Sequence, residues 1–194
     1  MNGQCHDPIL DPFPERFETN RLLIRAPLWG DGAAVNEAIR ESMDELLPWM
    51  PWAQHIPEIE QTEVNLRKAR LQFLERSDLR LLIYLGNTGQ FVGSSGLHRI
   101  DWQARKFEIG YWLRTSLVGH GYMTEAVEGI TRYAIDELRA NRIEIRCDSR
   151  NVRSAKVAER AKFVLEGVLR NDSRAIDGSL RHTNVYAKVR GVEF

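Results

Sequence analysis

The sequence predicts a single α/β domain built on a mixed, mostly antiparallel sheet. Three observations carry that prediction. Apolar periods of two and of 3.6 residues alternate along the chain with no linker or repeat between them, three apolar runs follow one another at hairpin spacing near the middle, and a glycine-punctuated turn leads from a strand pattern into a long amphipathic helix. At 194 residues the chain can bury one substantial core.

The elements follow in order. Residues 1–17, beginning MNGQCHDPILDPFPE, carry prolines and acids instead of a basic start and an apolar run, so they are expected to form an N-terminal arm and not a signal peptide. RLLIRAP (21–27) is a short strand stopped by Pro27. Asp31 opens an amphipathic helix to about Arg40, and a second helical piece ends at Pro48 and Pro51. Over Glu58 to Glu75, Val64, Leu66, Ala69, Leu71 and Phe73 recur at imperfect helical spacing, which predicts a helix. LRLLIYL (79–85), QFVGSSGLHRI (90–100) and KFEIGYWLR (106–114) are strands. The turns at 87–89 and 101–105 between them make an antiparallel meander. Met123, Ala126, Val127, Ile130, Ala134 and Leu138 mark a long helix ending near Asn141. RIEIRCD (142–148) alternates as a half-buried strand, residues 152–161 form a charged helix, and strands follow near 163–170 and 183–190.

Composition narrows the function. The 27 basic and 27 acidic side chains cancel, so no basic field points to nucleic acid. No run approaches the roughly 18 apolar residues of a membrane span. Cys5 and Cys147 are too few for a disulfide framework and suit a reducing compartment, so the cytoplasm is the expected location. Five histidines and two cysteines show no ligand spacing, and no metal site is expected.

LVGHGYMTEA (117–126) carries the chemistry. A strand, a glycine-punctuated turn and a helix start together aim unpaired N–H groups and the positive end of a helix dipole at one point, a geometry suited to phosphate. Glycine allows the close approach. A Walker loop would need lysine and a hydroxyl residue after the second glycine, where Tyr122 and Met123 stand. A dinucleotide fingerprint would need a third glycine, where Thr124 stands. The remaining patterns are the pyrophosphate loop of acetyl-coenzyme A (acetyl-CoA) acetyltransferases and a plain glycine turn before a helix.

The chain resembles the GNAT superfamily of N-acetyltransferases, in its RimJ/RimL-like branch of ribosomal-protein acetyltransferases. The resemblance is carried by ETNRLLIRAP (18–27), LPWMPW (47–52), FEIGYWL (107–113), GHGYMTEA (119–126), NVRSAKVAERAKF (151–163) and LEGVLR (165–170). It implies a GNAT fold over 1–194, with a twisted sheet of about seven strands splayed between the fourth and fifth. It also implies acetyl-CoA as co-substrate and no metal. The loop pattern departs from the superfamily's at its first position, where Ser116 replaces a longer donor.

By position, the resemblance places the pantetheine arm along Trp112, Leu113 and Arg114. It places the pyrophosphate on Gly119, His120, Gly121, Tyr122, Met123 and Thr124, and further cofactor contacts at Asn151 and Ser154. The implied reaction is direct attack of an amine on the acetyl carbonyl through a tetrahedral oxyanion. A base must then reach the ammonium directly or through one water. Glu108 is the first candidate, because it alternates away from Phe107, Ile109 and Tyr111 and shares a face with Gly110 and Trp112. The alternative is a surface glutamate paired with Arg105 or Lys106. RimL is expected to place a carboxylate after the LEGVLR-like strand where this chain has Ser173, a departure from that pattern, and the neighbouring Asp172 is the reserve base. Ser154 is the candidate proton donor to the departing sulfur, or simply a helix cap. Trp49 and Trp52 are expected on the acceptor side, with Glu108, or else as packing of a rigid turn. His120 is expected to face solvent, and His182 stands where the branch has an acidic residue.

The expected activity is acetylation of a primary amine, with the N-terminal α-amine of a ribosomal protein leading. A small-molecule amine such as an aminoglycoside, polyamine or amino-acid conjugate is the alternative. A reading of another class is a CoA-binding sensor or interaction module without turnover. The expected partners are acetyl-CoA and the acceptor, without nucleic acid or membrane, and exposed strand edges are compatible with a homodimer.

Overall fold

The computed structural model describes residues 7–194; Cys5 and His6 lie outside that range. Twelve α-helices and strands follow in chain order among the described residues. They are β1 (Arg16–Glu18), β2 (Leu22–Arg25), α1 (Gly32–Leu46), α2 (Ile59–Glu75), β3 (Leu79–Leu85), β4 (Phe91–Asp101), β5 (Lys106–Leu113), α3 (Tyr122–Asp136), β6 (Arg142–Asp148), α4 (Val152–Arg160), β7 (Val164–Arg174) and β8 (Leu180–Val189). The strands form one sheet in the order β1-β2-β3-β4-β5-β6-β8-β7. Only β5 and β6 run parallel, because the α3 crossover lies between them.

Period-two alternation sends one set of side chains to each face of the sheet. On one face Leu81, Ile83, Leu97, Phe107, Ile109 and Ile145 pack under Met123, Val127 and Ile130 of α3. Burial of each such side chain is worth roughly 1.5–3 kcal/mol, enough to fix α3, and with it the turn at its N-terminus, against the sheet. On the other face Leu82, Tyr84 and Phe91 meet Val35 and Ile39 of α1 and Leu66 of α2.

The meander, α2, β6 and α4 lie where periodicity puts them, and α3 starts where expected but ends at Asp136, short of Asn141. Four expectations need correction. The sheet has eight strands, because the three-residue β1 forms a hairpin with β2; RFE is too short and polar to register as a strand. The splay therefore falls between β5 and β6. Residues 32–46 are one helix instead of two pieces, since the breaking prolines come only after Leu47. The N-terminal arm is partly structured: Phe13 is buried against Phe73, Trp102 and Tyr133. Finally, Val64 and Leu71 on α2 are exposed, and only Leu66, Ala69 and Phe73 of the expected set are buried.

Candidate active site

The turn before α3 takes the conformation its glycines allow. Gly119 and Gly121 sit at φ +90° and +78°, a region side-chain-bearing residues avoid. Gly121 is the N-cap, and the first helical bond runs from the Glu125 N–H to the Gly121 carbonyl. The amides of Tyr122, Met123 and Thr124 therefore point out of the helix end without a backbone partner among the described residues. Arg21 braces the turn. Its Nη1 donates to the His120 carbonyl at 3.0 Å, its Nε donates to Glu125 at 2.6 Å, and its guanidinium stacks on Tyr122. His120 is exposed and stacks on the same Tyr122 ring, at 5.6 Å between centroids.

Beside the turn the sheet opens. β5 and β6 are in register from Lys106↔Arg142 to Ile109↔Ile145, and pairing stops there. Residues 110–113 of β5 thus present an unpaired edge toward the gap. This edge and the glycine turn share one cavity of about 1380 Å³.

At the gap, three side chains meet. The Tyr111 hydroxyl donates to the Ser154 carbonyl at 2.9 Å and accepts from Ser154 Oγ at 3.1 Å. Burial pushes the Tyr111 hydroxyl well above its ordinary range, and the Ser154 hydrogen bond opposes this. Burial likewise raises the Cys147 thiol and keeps it protonated. Ser154 is not the cap of α4: Asn151 Oδ1 accepts from the Ser154 N–H at 3.0 Å and does that work. The Ser154 hydroxyl is left to bond Tyr111, and both residues line the cavity.

The base candidates separate. Glu108 is not the exposed partner of Arg105 or Lys106, which pair instead with Asp11 at 3.2 Å and Glu144 at 3.4 Å. Its side chain is only 16% exposed, with Arg99 at 3.6 Å. Burial raises its pKa, opposed by Arg99 and Arg146 and reinforced by Glu144, its register neighbour. Glu144 itself is buried, so β6 is covered on both faces and not half-buried. Glu108 does not reach the cavity lining, but its cross-strand partner His98 does. His98 Nδ1 lies 2.7 Å from Asp78 Oδ2, which leaves Nε2 over Gly110. Asp172 stands on β7 away from the lining, with Arg146 as its nearest cation at 3.9 Å.

The far end of the cavity is walled by Trp49, Trp52 and His55 from the segment after α1. Trp52 tilts over Trp112 at 6.1 Å. Of the sequence candidates, Trp49, Trp52, Trp112, Leu113, Gly119, Gly121, Tyr122, Met123, Thr124, Asn151 and Ser154 all line the one cavity. Glu108, Arg114, His120 and Asp172 do not; Arg114 is held by Glu37 and Glu41 of α1 at 2.5 and 2.6 Å. His182 closes a bulge, its Nδ1 accepting from the Asn171 N–H at 3.0 Å. Sequence reasoning missed Arg21, Asp78, Arg80, His98 and Tyr111. Of these, Tyr111 carried a signal, since it lies on the strand already assigned to the cofactor.

Among the described residues no cluster of three or more metal-ligating side chains occurs, and no helix is long and apolar enough to cross a membrane. The description "Acetyltransferase (GNAT) domain" matches residues 21–164. YdaF of Bacillus subtilis (strain 168), provisionally named a ribosomal N-acetyltransferase, is 31% identical over 159 residues, covering 80% of this chain and 84% of its own. The ribosomal-protein-serine acetyltransferase of Escherichia coli (strain K12) is 25% identical over 144 residues, covering 73% and 79%. Among solved structures, RimL, a ribosomal L7/L12 alpha-N-protein acetyltransferase in complex with coenzyme A, superimposes with a TM-score of 0.83 at 23% identity over 90% of this chain and 98% of its own. The microcin C7 self-immunity acetyltransferase MccE, in complex with acetyl-CoA and AMP, gives 0.84 at 22% over 93% and 99%.

Proposed function

The chain belongs to the GNAT acetyltransferase family and is an acetyl-CoA-dependent N-acetyltransferase; from that premise we propose that its acceptor is the N-terminal α-amine of a protein, a ribosomal protein foremost. The observation that carries this reading is the continuity of the cavity from the glycine turn to the Trp49 and Trp52 wall, so that a chain end entering past the tryptophans meets the splayed edge of β5. The names of YdaF and of the E. coli relative support it.

Acetyl-CoA supplies the activated acetyl group. The protein's residues do the rest. The amides at 122–124 and the glycine turn hold the diphosphate, and the unpaired edge at 110–113 holds the pantetheine arm. Arg114, fixed on α1, serves this arm only through its backbone. An α-amine with pKa near 8 is neutral in roughly a tenth of molecules at pH 7, against well under ~1% for lysine, so modest base assistance suffices. His98 is placed to take that proton at Nε2, with Asp78 holding its other nitrogen and Glu108 beside it as the second carboxylate. Ser154 Oγ and the Tyr111 hydroxyl stand at the opposite side of the gap as proton donors to the leaving sulfur. Asp172 is a reserve base only if β7 shifts toward the cavity.

The test is acetylation of peptides with free or blocked N-termini, followed by thiol release and by mapping the acetyl group in fragment mass spectra. Acetyl at the α-amine is the expected result. Acetyl confined to lysine or to small amines would replace the proposed acceptor, and cofactor binding with no acetylated amine would favour the sensor.

A further inference from the structure

Two arginines flank a strip of sheet in the acceptor half whose own residues are glycines. In register across β3, β4 and β5, Arg80 faces Gly96 and Gly96 faces Gly110; Arg146 follows the last parallel pair on β6. The His98 ring lies across the two glycines. A Cβ at Gly96 or Gly110 would come within 2.9 and 3.2 Å of it. Arg80, Gly110, His98 and Arg146 all line the cavity.

Both guanidiniums are under-compensated. Arg80 has one hydrogen-bond partner among the described residues, the neutral Asn65 Oδ1 at 2.5 Å, and none of their carboxylates lies within 4 Å. Desolvation depresses its pKa, with only Asp78 opposing. Arg146 Nε is buried with no hydrogen-bond partner among the described residues; its one carboxylate within 4 Å, Asp172, stays at 3.9 Å, and Glu108 acts on it from farther away while facing Arg99 at 3.6 Å. The other nearby carboxylates are engaged. Asp78 holds His98, and Asp148 is gripped by Arg150 at 2.8 Å and Arg181 at 3.5 Å. A desolvated cation whose counter-charges are distant or shared with other cations is costly, and an arriving anion relieves that cost.

We propose that Arg80, with Arg146 adding positive charge from beyond the His98 ring, forms an anion subsite beside that ring, and that it receives a carboxylate carried by the acceptor close to its amine. The acceptor is then an N-terminal segment with aspartate or glutamate among its first residues. Arg80 and Gly110 stand two strand spacings apart, about 10 Å, a distance spanned by the arginine side chain plus one acidic side chain. This inference deepens the acceptor reading and rests on it.

The experiment titrates CoA-saturated enzyme calorimetrically with hexapeptide pairs that differ only in Asp against Asn at the first, second or third residue. Aspartate amide and asparagine amide are added as the small-amine arm. The wild type is expected to bind at least one Asp peptide about 10-fold more tightly than its Asn partner, the scale of one charge-assisted hydrogen bond. In Arg80→Met that ratio falls to near one, and Arg80→Lys keeps part of it; thermal melting of both variants confirms folding. No charge preference in the wild type overturns the subsite. So does a penalty in Arg80→Met that is equal for both peptides, or an equal loss of CoA affinity. A preference confined to the amides moves the subsite to small amines. Binding with the expected preference but without acetylation leaves the subsite standing and removes the proposed acceptor.

Discussion

The two halves of the cavity are built from different materials. The cofactor half is mostly backbone: a glycine turn at φ +90° and +78°, the free amides of a helix start, and a strand edge left unpaired beyond Ile109. The acceptor half is made of side chains from four elements, with Trp49 and Trp52 after α1, Asn65 on α2, Arg80 on β3 and His98 on β4. In the proposed assignment, backbone recognition serves a co-substrate that does not vary, and side-chain recognition can be rewritten without disturbing the fold. The same division decides what a substitution should do.

A substitution in the cofactor half should act on binding. Gly119→Val combined with Gly121→Val forces two side-chain-bearing residues into the left-handed region at ~1–2 kcal/mol each, and more for a β-branched residue. CoA affinity measured by calorimetry should fall by ~10²–10³-fold. The fold should survive, because a Cβ at Gly119 meets nothing within 4 Å and one at Gly121 meets only Arg21 Nη2 at 3.6 Å. At the junction of the halves, His98→Ala should lower kcat by about 10²-fold while leaving CoA affinity in place. Ser154→Ala or Tyr111→Phe should lower kcat by ~10-fold, because each hydroxyl partly covers for the other. Equal losses in kcat and in CoA affinity in these variants would erase the distinction drawn between the halves. Trp52→Ala should raise the acceptor KM ~3–10-fold with cofactor affinity unchanged; a change in the cofactor term alone would put the tryptophan in the wrong half.

The smallest effect concerns Glu108. Its folded pKa is raised by burial, so the folded state holds the proton more tightly than the unfolded chain. Stability should therefore decline as pH rises through the window between the ordinary glutamate value and the raised one. Glu108→Gln should remove that decline and raise Tm at pH 8 by no more than about 2–4 °C. A stability profile unchanged by the substitution would place Glu108 in water instead of beneath the cleft.

The contrast also explains what was legible in the sequence. Gly119, Gly121 and the helix after them could be read because a backbone that needs positive φ leaves glycine as its trace, and the Met123, Val127 and Ile130 stripe dates from the same local physics. Glu108 was traced to its strand, but alternation cannot say how far a carboxylate reaches, and its partner His98 occupies the lining instead. Asp78, Arg80 and His98 converge only through strand register across three strands, and no local period records such a meeting. β1 escapes because three residues carry no period, and α1 runs as one helix because no glycine or proline interrupts it between Arg40 and Leu46, where its local pattern suggests two pieces. Asn151 was placed at the cofactor by resemblance, whereas its capping of α4 became visible only with the Ser154 amide beside it.

The central claim is that backbone amides at the start of α3 grasp the diphosphate. Amide hydrogen exchange with and without CoA tests it residue by residue. Strong slowing is predicted at 119–124, with little change in the tryptophan segment 47–57. Saturating CoA that leaves the 119–124 amides exchanging as in the free protein would contradict the claim.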